Sequence, residues 1–175
     1  GYKVGIIAQP DYTAGNDITA LGEPALFWGV TGGCVDSMVS NFTASLKRRK
    51  QDDFTPGGIN NKRPDNASIV YCNLIRKHFK NTRPIVMGGI EASLRRIAHY
   101  DYVKDAVKRS ILFDAKADYI VYGMGEKTAL KIAQAIQNNE NPSELRGVCY
   151  ISGAVPDGYT EIPSFEEAKA DREKF

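Results

Sequence analysis

The sequence predicts an α/β domain on a mainly parallel sheet with helices on both faces. Three observations carry that expectation. Short apolar runs of strand length alternate with segments whose apolar residues recur at helical spacing. Most of the strand-like runs are continuously apolar, as strands buried on both faces are. Three strand-to-helix junctions are rich in glycine, at Gly32-Gly33, at Gly88-Gly89 and at Gly123 with Gly125. Together these describe a Rossmann-like or flavodoxin-like fold.

Tyr2 to Ala8 is an apolar run stopped by Pro10 and reads as the first strand. Ala25 to Thr31 is the second, and Val35, Met38, Val39 and Phe42 then mark an amphipathic helix. Between Ser45 and Pro64 the periodicity vanishes among charges, Pro56-Gly57-Gly58 and Asn60-Asn61, which predicts a long loop. Pro64-Asp65 opens a helix bearing Tyr71, Leu74, Ile75 and Phe79, and Pro84 to Met87 is a strand. Val103, Ala106, Val107 and Ile111 predict a further helix, and Asp118 to Tyr122 a strand. Ala129, Ile132, Ala133 and Ile136 lie on the helix after Gly125, and Gly147 to Ser152 is the last strand. Ser164 and Glu167 form a capping box for a final helix. Both ends of the chain read as cut within such elements.

Composition bounds the function. The chain has 175 residues, 42% hydrophobic and 25% charged, ordinary for a globular domain. A net charge of +2 points to neither nucleic acid nor an anionic membrane. No apolar run reaches the length of a membrane span and no signal sequence opens the chain. Cys34, Cys72 and Cys149 are far apart and form no C-x-x-C pair, which argues against a disulfide scaffold or a structural zinc and makes the cytoplasm the default compartment.

In open parallel sheets the strand-to-helix junctions line up along the carboxyl edge, where backbone N–H groups and helix N-termini meet ligands. Tight turns also need glycine for their own sake, so one such junction would carry no weight; three in equivalent positions favour a ligand-facing edge. The densest polar stretch runs from Gly88 to Asp101 and includes Glu91, Ser93, Arg95, Arg96 and His99. Paired arginines can clamp a phosphate or carboxylate, although local ion pairs on a solvated turn are the commoner outcome. At least one of Arg95 and Arg96 is expected to turn inward and to pair with a carboxylate or a ligand anion, because neighbours on a helical turn point about 100° apart. Glu126 at a helix start either complements the helix dipole or holds a ligand hydroxyl. The basic run Lys47 to Lys50 has few aromatics around it, which speaks against RNA. A phosphate-binding loop, a dinucleotide fingerprint after the first strand and a nucleophile elbow are all missing.

Two resemblances follow from the residues. The run from Gly88-Gly89 through Ala117–Thr128, closing on Gly123-Met124-Gly125-Glu126, to Gly147-Val148-Cys149-Tyr150 resembles the cobalamin-binding-like domain ahead of many radical S-adenosylmethionine (SAM) domains. More narrowly, GYKVGIIAQPD from Gly1, VDSM from Val35, TPGG from Thr55, KRPD from Lys62, GGIEASLRRIAHYDY from Gly88 and PSFEEAKAD from Pro163 resemble the N-terminal region of YgiQ-type radical SAM proteins, across essentially the whole chain. The resemblance implies an accessory domain at 1–160 and, at 161–175, the start of a connecting helix toward a radical SAM domain. That domain would carry the C-x-x-x-C-x-x-C motif holding a [4Fe–4S] cluster with one iron open to SAM. It also implies a strand and helix ahead of Gly1, so the sheet here is expected to lack its first strand, and with it any lower histidine ligand to a cobalamin. Cobalamin binding is left open; were it bound, Gly88-Gly89 and Gly125-Glu126 would face its nucleotide tail. The candidate cofactor-facing residues are Gly32, Gly33, Gly88, Gly89, Glu91, Ser93, Arg95, Arg96, His99, Gly123, Gly125 and Glu126. No metal ligand and no cofactor are assigned to this region itself. The alternative is an interaction module that docks a catalytic domain or RNA through the 45–64 loop and Arg95-Arg96.

Overall fold

The computed structural model describes residues 1–175. In chain order the elements are α1 (Asn16–Thr19), β1 (Trp28–Thr31), α2 (Ser37–Asn41), α3 (Ala67–His78), β2 (Ile85–Gly88), α4 (Gly89–Leu94), β3 (His99–Asp101), β4 (Ala106–Lys108), α5 (Ile111–Ala115), β5 (Tyr119–Val121), α6 (Glu126–Gln137), β6 (Val148–Tyr150) and α7 (Phe165–Ala170). The main sheet has the order β1-β2-β5-β6; the first three strands are parallel, and β6 returns antiparallel to β5. The domain is thus α/β on a mainly parallel sheet, with helices on both faces.

Alternation along the strands sends their side chains to two cores. Trp28, Val30, Ile85, Met87 and Ile120 face α3 and α5 in the larger cluster, joined by Cys72, Ile75, Ile111 and Leu112. Val86 and Val121 face the other way, onto Ile132 of α6. The apolar stripe read for α6 does this work: Ile132, Ala133 and Ala135 are buried. At the β1 edge Trp28 stacks against Phe79 with ring centroids 5.0 Å apart, and its indole N–H donates to Thr82 Oγ1 at 2.7 Å.

Three expectations are corrected. Tyr2 to Ala8 pairs with no strand; Val4 is 79% and Ile6 83% exposed, because an apolar run becomes a strand only where a partner offers its backbone groups. The helix expected around Val103 to Val107 is an antiparallel hairpin, β3 with β4. Asp101 decides this: its Oδ1 accepts from the N–H groups of Val103 and Lys104, at 3.0 and 3.1 Å, closing a turn that helical spacing alone cannot reveal. Only Ile111–Ala115 is helical there. In α2 the buried residues are the polar Ser37 and Asn41, while Val39 is 62% exposed, the reverse of an apolar stripe. The capping box of Ser164 and Glu167 is present and α7 packs against β4. No helix is long and apolar enough to cross a membrane.

Ile120 is fully buried in the larger core, paired with Met87 of β2 on one side and Cys149 of β6 on the other. Ile120→Ala is expected to lower the free energy of unfolding by about 2–5 kcal/mol in urea titrations, with an unchanged m value. Lys127→Ala, on an exposed position of α6, should fall within about 0.5 kcal/mol of the parent chain.

Candidate functional site

Because β1, β2 and β5 are parallel neighbours, their carboxyl ends bring the three glycine-rich junctions onto one edge. Side chains tie the junctions together. Thr31 Oγ1 accepts from the Gly33 N–H at 3.2 Å and lies where a Cβ on Gly89 would sit, 2.5 Å from that position. Gly89 also has φ +80°, so a larger residue is excluded twice over. Ser93 Oγ donates to the Gly89 carbonyl at 2.8 Å and accepts from the Gly123 N–H at 3.1 Å, bridging the second and third junctions. Gly123 differs from the others: it has φ +69° and open space where a side chain would point.

Behind this edge lies a buried polar frame. Glu91 is 1% exposed and its carboxylate accepts from the N–H of Ser37 at 2.8 Å and from the N–H of Ser68 at 2.9 Å. One anion thereby caps the N-termini of α2 and α3, and Ser37 Oγ accepts from the Ala67 N–H beside it at 2.9 Å. A Cβ on Gly32 would come within 2.6 Å of that carboxylate, so this glycine makes room for Glu91. Arg63, 5% exposed, donates to the Gly32 carbonyl at 2.8 Å and pairs with buried Asp52 at 3.0 Å. Burial works to raise the Asp52 carboxyl, and hydrogen bonds from Thr55, the Phe54 N–H and Arg63 together hold it below the ordinary carboxylate value.

The arginine pair divides. Arg95 turns inward and pairs with Asp36, the N-cap of α2, and also donates to the Glu91 carbonyl. Arg96 lies with its guanidinium 5.0 Å from the centre of the Tyr122 ring and donates to the Ser93 carbonyl at 2.6 Å. Glu126 is exposed as the first residue of α6, whose N-cap Gly125 supplies no side-chain cap. Gly88 ends β2. His99 lies on β3, with Nδ1 3.2 Å from the Ile97 carbonyl. The edge therefore brings together Gly33, Gly89, Ser93, Arg96, Gly123, Gly125 and Glu126, while Glu91 and Arg95 belong to the frame behind it.

Asp52, Arg63, Ser37, Asn41 and Ser68 were not singled out by the sequence, since they lie in the aperiodic 45–64 stretch, on the short α2 or, for Ser68, in the first turn of α3. The available signal is Asp52-Asp53-Phe54-Thr55-Pro56-Gly57-Gly58, a turn in which Thr55 Oγ1 donates to Asp52 Oδ2 at 2.7 Å. The basic run is partly occupied within the chain: Arg48 pairs with Asp65 at 3.1 Å, and Arg49 donates to the carbonyls of Val39 and Phe42.

The residues present do not fit an iron–sulfur cluster. Cys72 is fully buried with its thiol pushed up to about 12 by desolvation, Cys149 is half-buried with its thiol also raised by burial, and no group of three His, Cys, Asp or Glu side chains converges. The space beside Gly32 and Gly89 is filled by Glu91 and Thr31, whereas that beside Gly123 is open. Two clefts of about 470 and 400 Å³ lie elsewhere, one between Tyr2 and Lys131–Glu140, the other lined by Ala117–Tyr119, Asn141, Ser143, Tyr150 and Ile151.

A parallel αβ sheet whose glycine-rich carboxyl edge is open, over a frame of buried ion pairs, defines a Rossmann-type domain with a candidate contact edge. The chain belongs to the radical SAM N-terminal family, which it matches over residues 1–175. It is 56% identical over 176 residues to a UPF0313 protein of Fusobacterium nucleatum, with all of this chain and 31% of that protein covered. It is 54% identical to a UPF0313 protein of Thermotoga maritima, covering 31% of it, and 45% identical to one of Geobacter sulfurreducens, covering 30%. The chain thus spans about a third of the length of these relatives. No solved structure matches it.

Glu91→Gln turns one of two accepting oxygens into a donor facing a backbone N–H. It is expected to destabilise the fold by about 3 kcal/mol, read as a lower urea midpoint. His99 gives a pH test. Burial, with the Arg95 charge, holds its pKa below the ordinary 6.5 against the opposing Ile97 carbonyl and Asp101. The unfolded chain therefore binds the proton more readily, so the His99 contribution to stability is full above about pH 6.5 and declines as the pH falls below it. The titration of its ring resonances by NMR should have its midpoint below 6.5; a midpoint at or above that value would refute the assignment.

Proposed function

We propose that this region is the accessory N-terminal domain of a radical SAM iron–sulfur protein, and that its carboxyl edge shapes a substrate or cofactor site against the catalytic domain of the same polypeptide. The observation that carries the reading is the convergence of three glycine-rich junctions, locked side by side through Thr31 and Ser93. Family membership supports the rest: a region described as radical SAM N-terminal makes up about a third of relatives that continue well beyond it.

In this reading the [4Fe–4S] cluster and SAM belong to the remainder of the parent protein, where the cluster supplies the electron for SAM cleavage. What this chain contributes is positioning. Gly123, with open space where a side chain would point, lets another group approach. Arg96, fixed against Tyr122 and the Ser93 carbonyl, offers a cation whose direction is already set. Glu126 places a carboxylate at the same edge.

The test uses the full-length polypeptide, reconstituted anaerobically with iron and sulfide. It is expected to show the absorbance of a [4Fe–4S] cluster and, with a reductant, to release 5′-deoxyadenosine from SAM. Arg96→Ala and Glu126→Ala are expected to leave cluster absorbance unchanged and to alter the rate of that release at least threefold. A full-length protein that takes up no cluster would overturn the radical SAM reading, and variants that match the parent rate would overturn the role of this edge.

A further inference from the structure

The carboxyl edge carries an apolar surface that nothing in the chain covers. On α4 the core side is filled by Glu91 and Ala92, and the residues turned outward are Ile90, 43% exposed, and Leu94, 58% exposed. Spaced by four, they share one side of the helix. Ile97 follows at 45% exposure, Tyr100 on β3 at 49%, Tyr122 after β5 at 39%, and Met124, between Gly123 and Gly125, at 86%. Single exposed apolar residues are unremarkable, but these stand on elements bonded to one another. The Ser93–Gly123 hydrogen bond and the Arg96–Tyr122 stack join α4 to the loop after β5. The backbone of Arg95 joins α4 to α5 through the Ile111 N–H, at 2.9 Å.

We propose that this surface is where the part of the same polypeptide C-terminal to Phe175 docks. The inference rests on the reading above and adds to it the face that makes the contact. Two observations select that occupant. About two thirds of the relatives' length lies outside this region, so a large body of chain is available to bury such a face. The path out of the domain also runs beside it: α7, the last helix, packs against β4, and β4 pairs with β3, where Tyr100 sits opposite Val107. The onward chain therefore leaves the domain next to the exposed apolar residues and needs no long linker to return to them. The chemistry suits an intramolecular interface, with apolar anchors in the middle and Arg96 and Glu126 at the polar border.

Hydrogen exchange on the full-length polypeptide, read by mass spectrometry, tests the proposal against its Leu94→Glu/Met124→Glu double variant. Peptides covering Ile90–Ile97 and Tyr122–Met124 are expected to exchange at least tenfold faster in the variant. Peptides from β2 and α3 should exchange equally in both, which reports an intact fold. Equal exchange of the edge peptides in the two proteins would overturn the proposal. Should the double variant fail to fold, a benzophenone side chain at position 124 of the otherwise unaltered protein gives the second measurement. It is expected to capture a peptide C-terminal to position 175 of the same molecule. Capture of no peptide, or of a peptide from a second copy in a species that light scattering shows to be a dimer, would equally overturn it. The cross-link in a protein that binds no cluster would support the docking face while rejecting the radical SAM reading, so the two failures are separable.

Discussion

The buried carboxylate of Glu91 is the interaction on which the arrangement of the edge depends. It accepts one hydrogen bond from the first residue of α2 and one from the second residue of α3, and it belongs to α4. Three helices from distant parts of the sequence are thereby fixed by one anion, which their N-terminal partial charges make tolerable in a dry site. Gly32 follows from it, because only a residue without a Cβ leaves space for the carboxylate. Arg63 follows from Gly32, since the carbonyl exposed by that close approach receives its guanidinium, and Asp52 then balances the charge. A chain of local requirements thus holds the 45–64 loop against the end of β1.

That frame explains how an aperiodic stretch can be ordered. Short antiparallel bridges order it, with the Asp52 N–H donating to the Gly58 carbonyl at 3.0 Å and the Asn60 N–H to the Lys50 carbonyl at 3.1 Å, and side chains add to them: Asn60 Nδ2 donates to the Arg49 carbonyl at 3.1 Å and Asn41 Nδ2 to Asp65 at 2.6 Å. The loop is consequently a fixed wall beside the edge, and the groups in front of it are the ones left for contact. The division runs through the structure, with ionic and amide partners behind the junctions and apolar side chains, Arg96 and Glu126 in front.

The sequence made the α/β class, the parallel strands β1, β2 and β5 and the long helices α3 and α6 legible, because continuous apolar runs and helical periodicity are local signals that burial on both faces enforces. It also placed the three junctions on one edge. It failed where the outcome depends on a partner or on one side chain. Tyr2 to Ala8 has strand composition but no neighbour, and residues 103–107 have helical spacing that the Asp101 turn overrides. In α2 the expected apolar stripe gives way to Ser37 and Asn41, whose burial is set by Glu91, Arg63 and Asp65 more than twenty residues away. Polar frames of this kind leave no periodic trace, so Asp52 and Arg63 were invisible within a loop-like composition. The family-like motifs KRPD, which contains Arg63, and TPGG, whose Thr55 donates to Asp52, belong to the ion pair that holds the loop, which gives those strings a physical meaning that composition could not.

Arg95 and Arg96 show how adjacent identical residues acquire different work. Both lie past the end of α4, Arg95 as its C-cap and Arg96 in the bend that follows, and there Arg95 turns toward Asp36 while Arg96 lies against Tyr122. For Arg95, burial opposes the charge, and Asp36, with Glu91 and Asp101 nearby, more than offsets it, holding the guanidinium above its ordinary value. Removing that charge would strand Asp36 at the N-terminus of α2 and disturb the frame. Arg96 has no carboxylate; it rests on the Tyr122 ring and on a carbonyl, contacts that orient a cation without neutralising it. Of the two, only Arg96 retains charge toward the open edge, near Gly123, where no side chain fills the space. The adjacency of the pair therefore lets a structural cation and an available one sit at a single bend of the chain, and their placement follows from where α4 ends and from the position of Asp36.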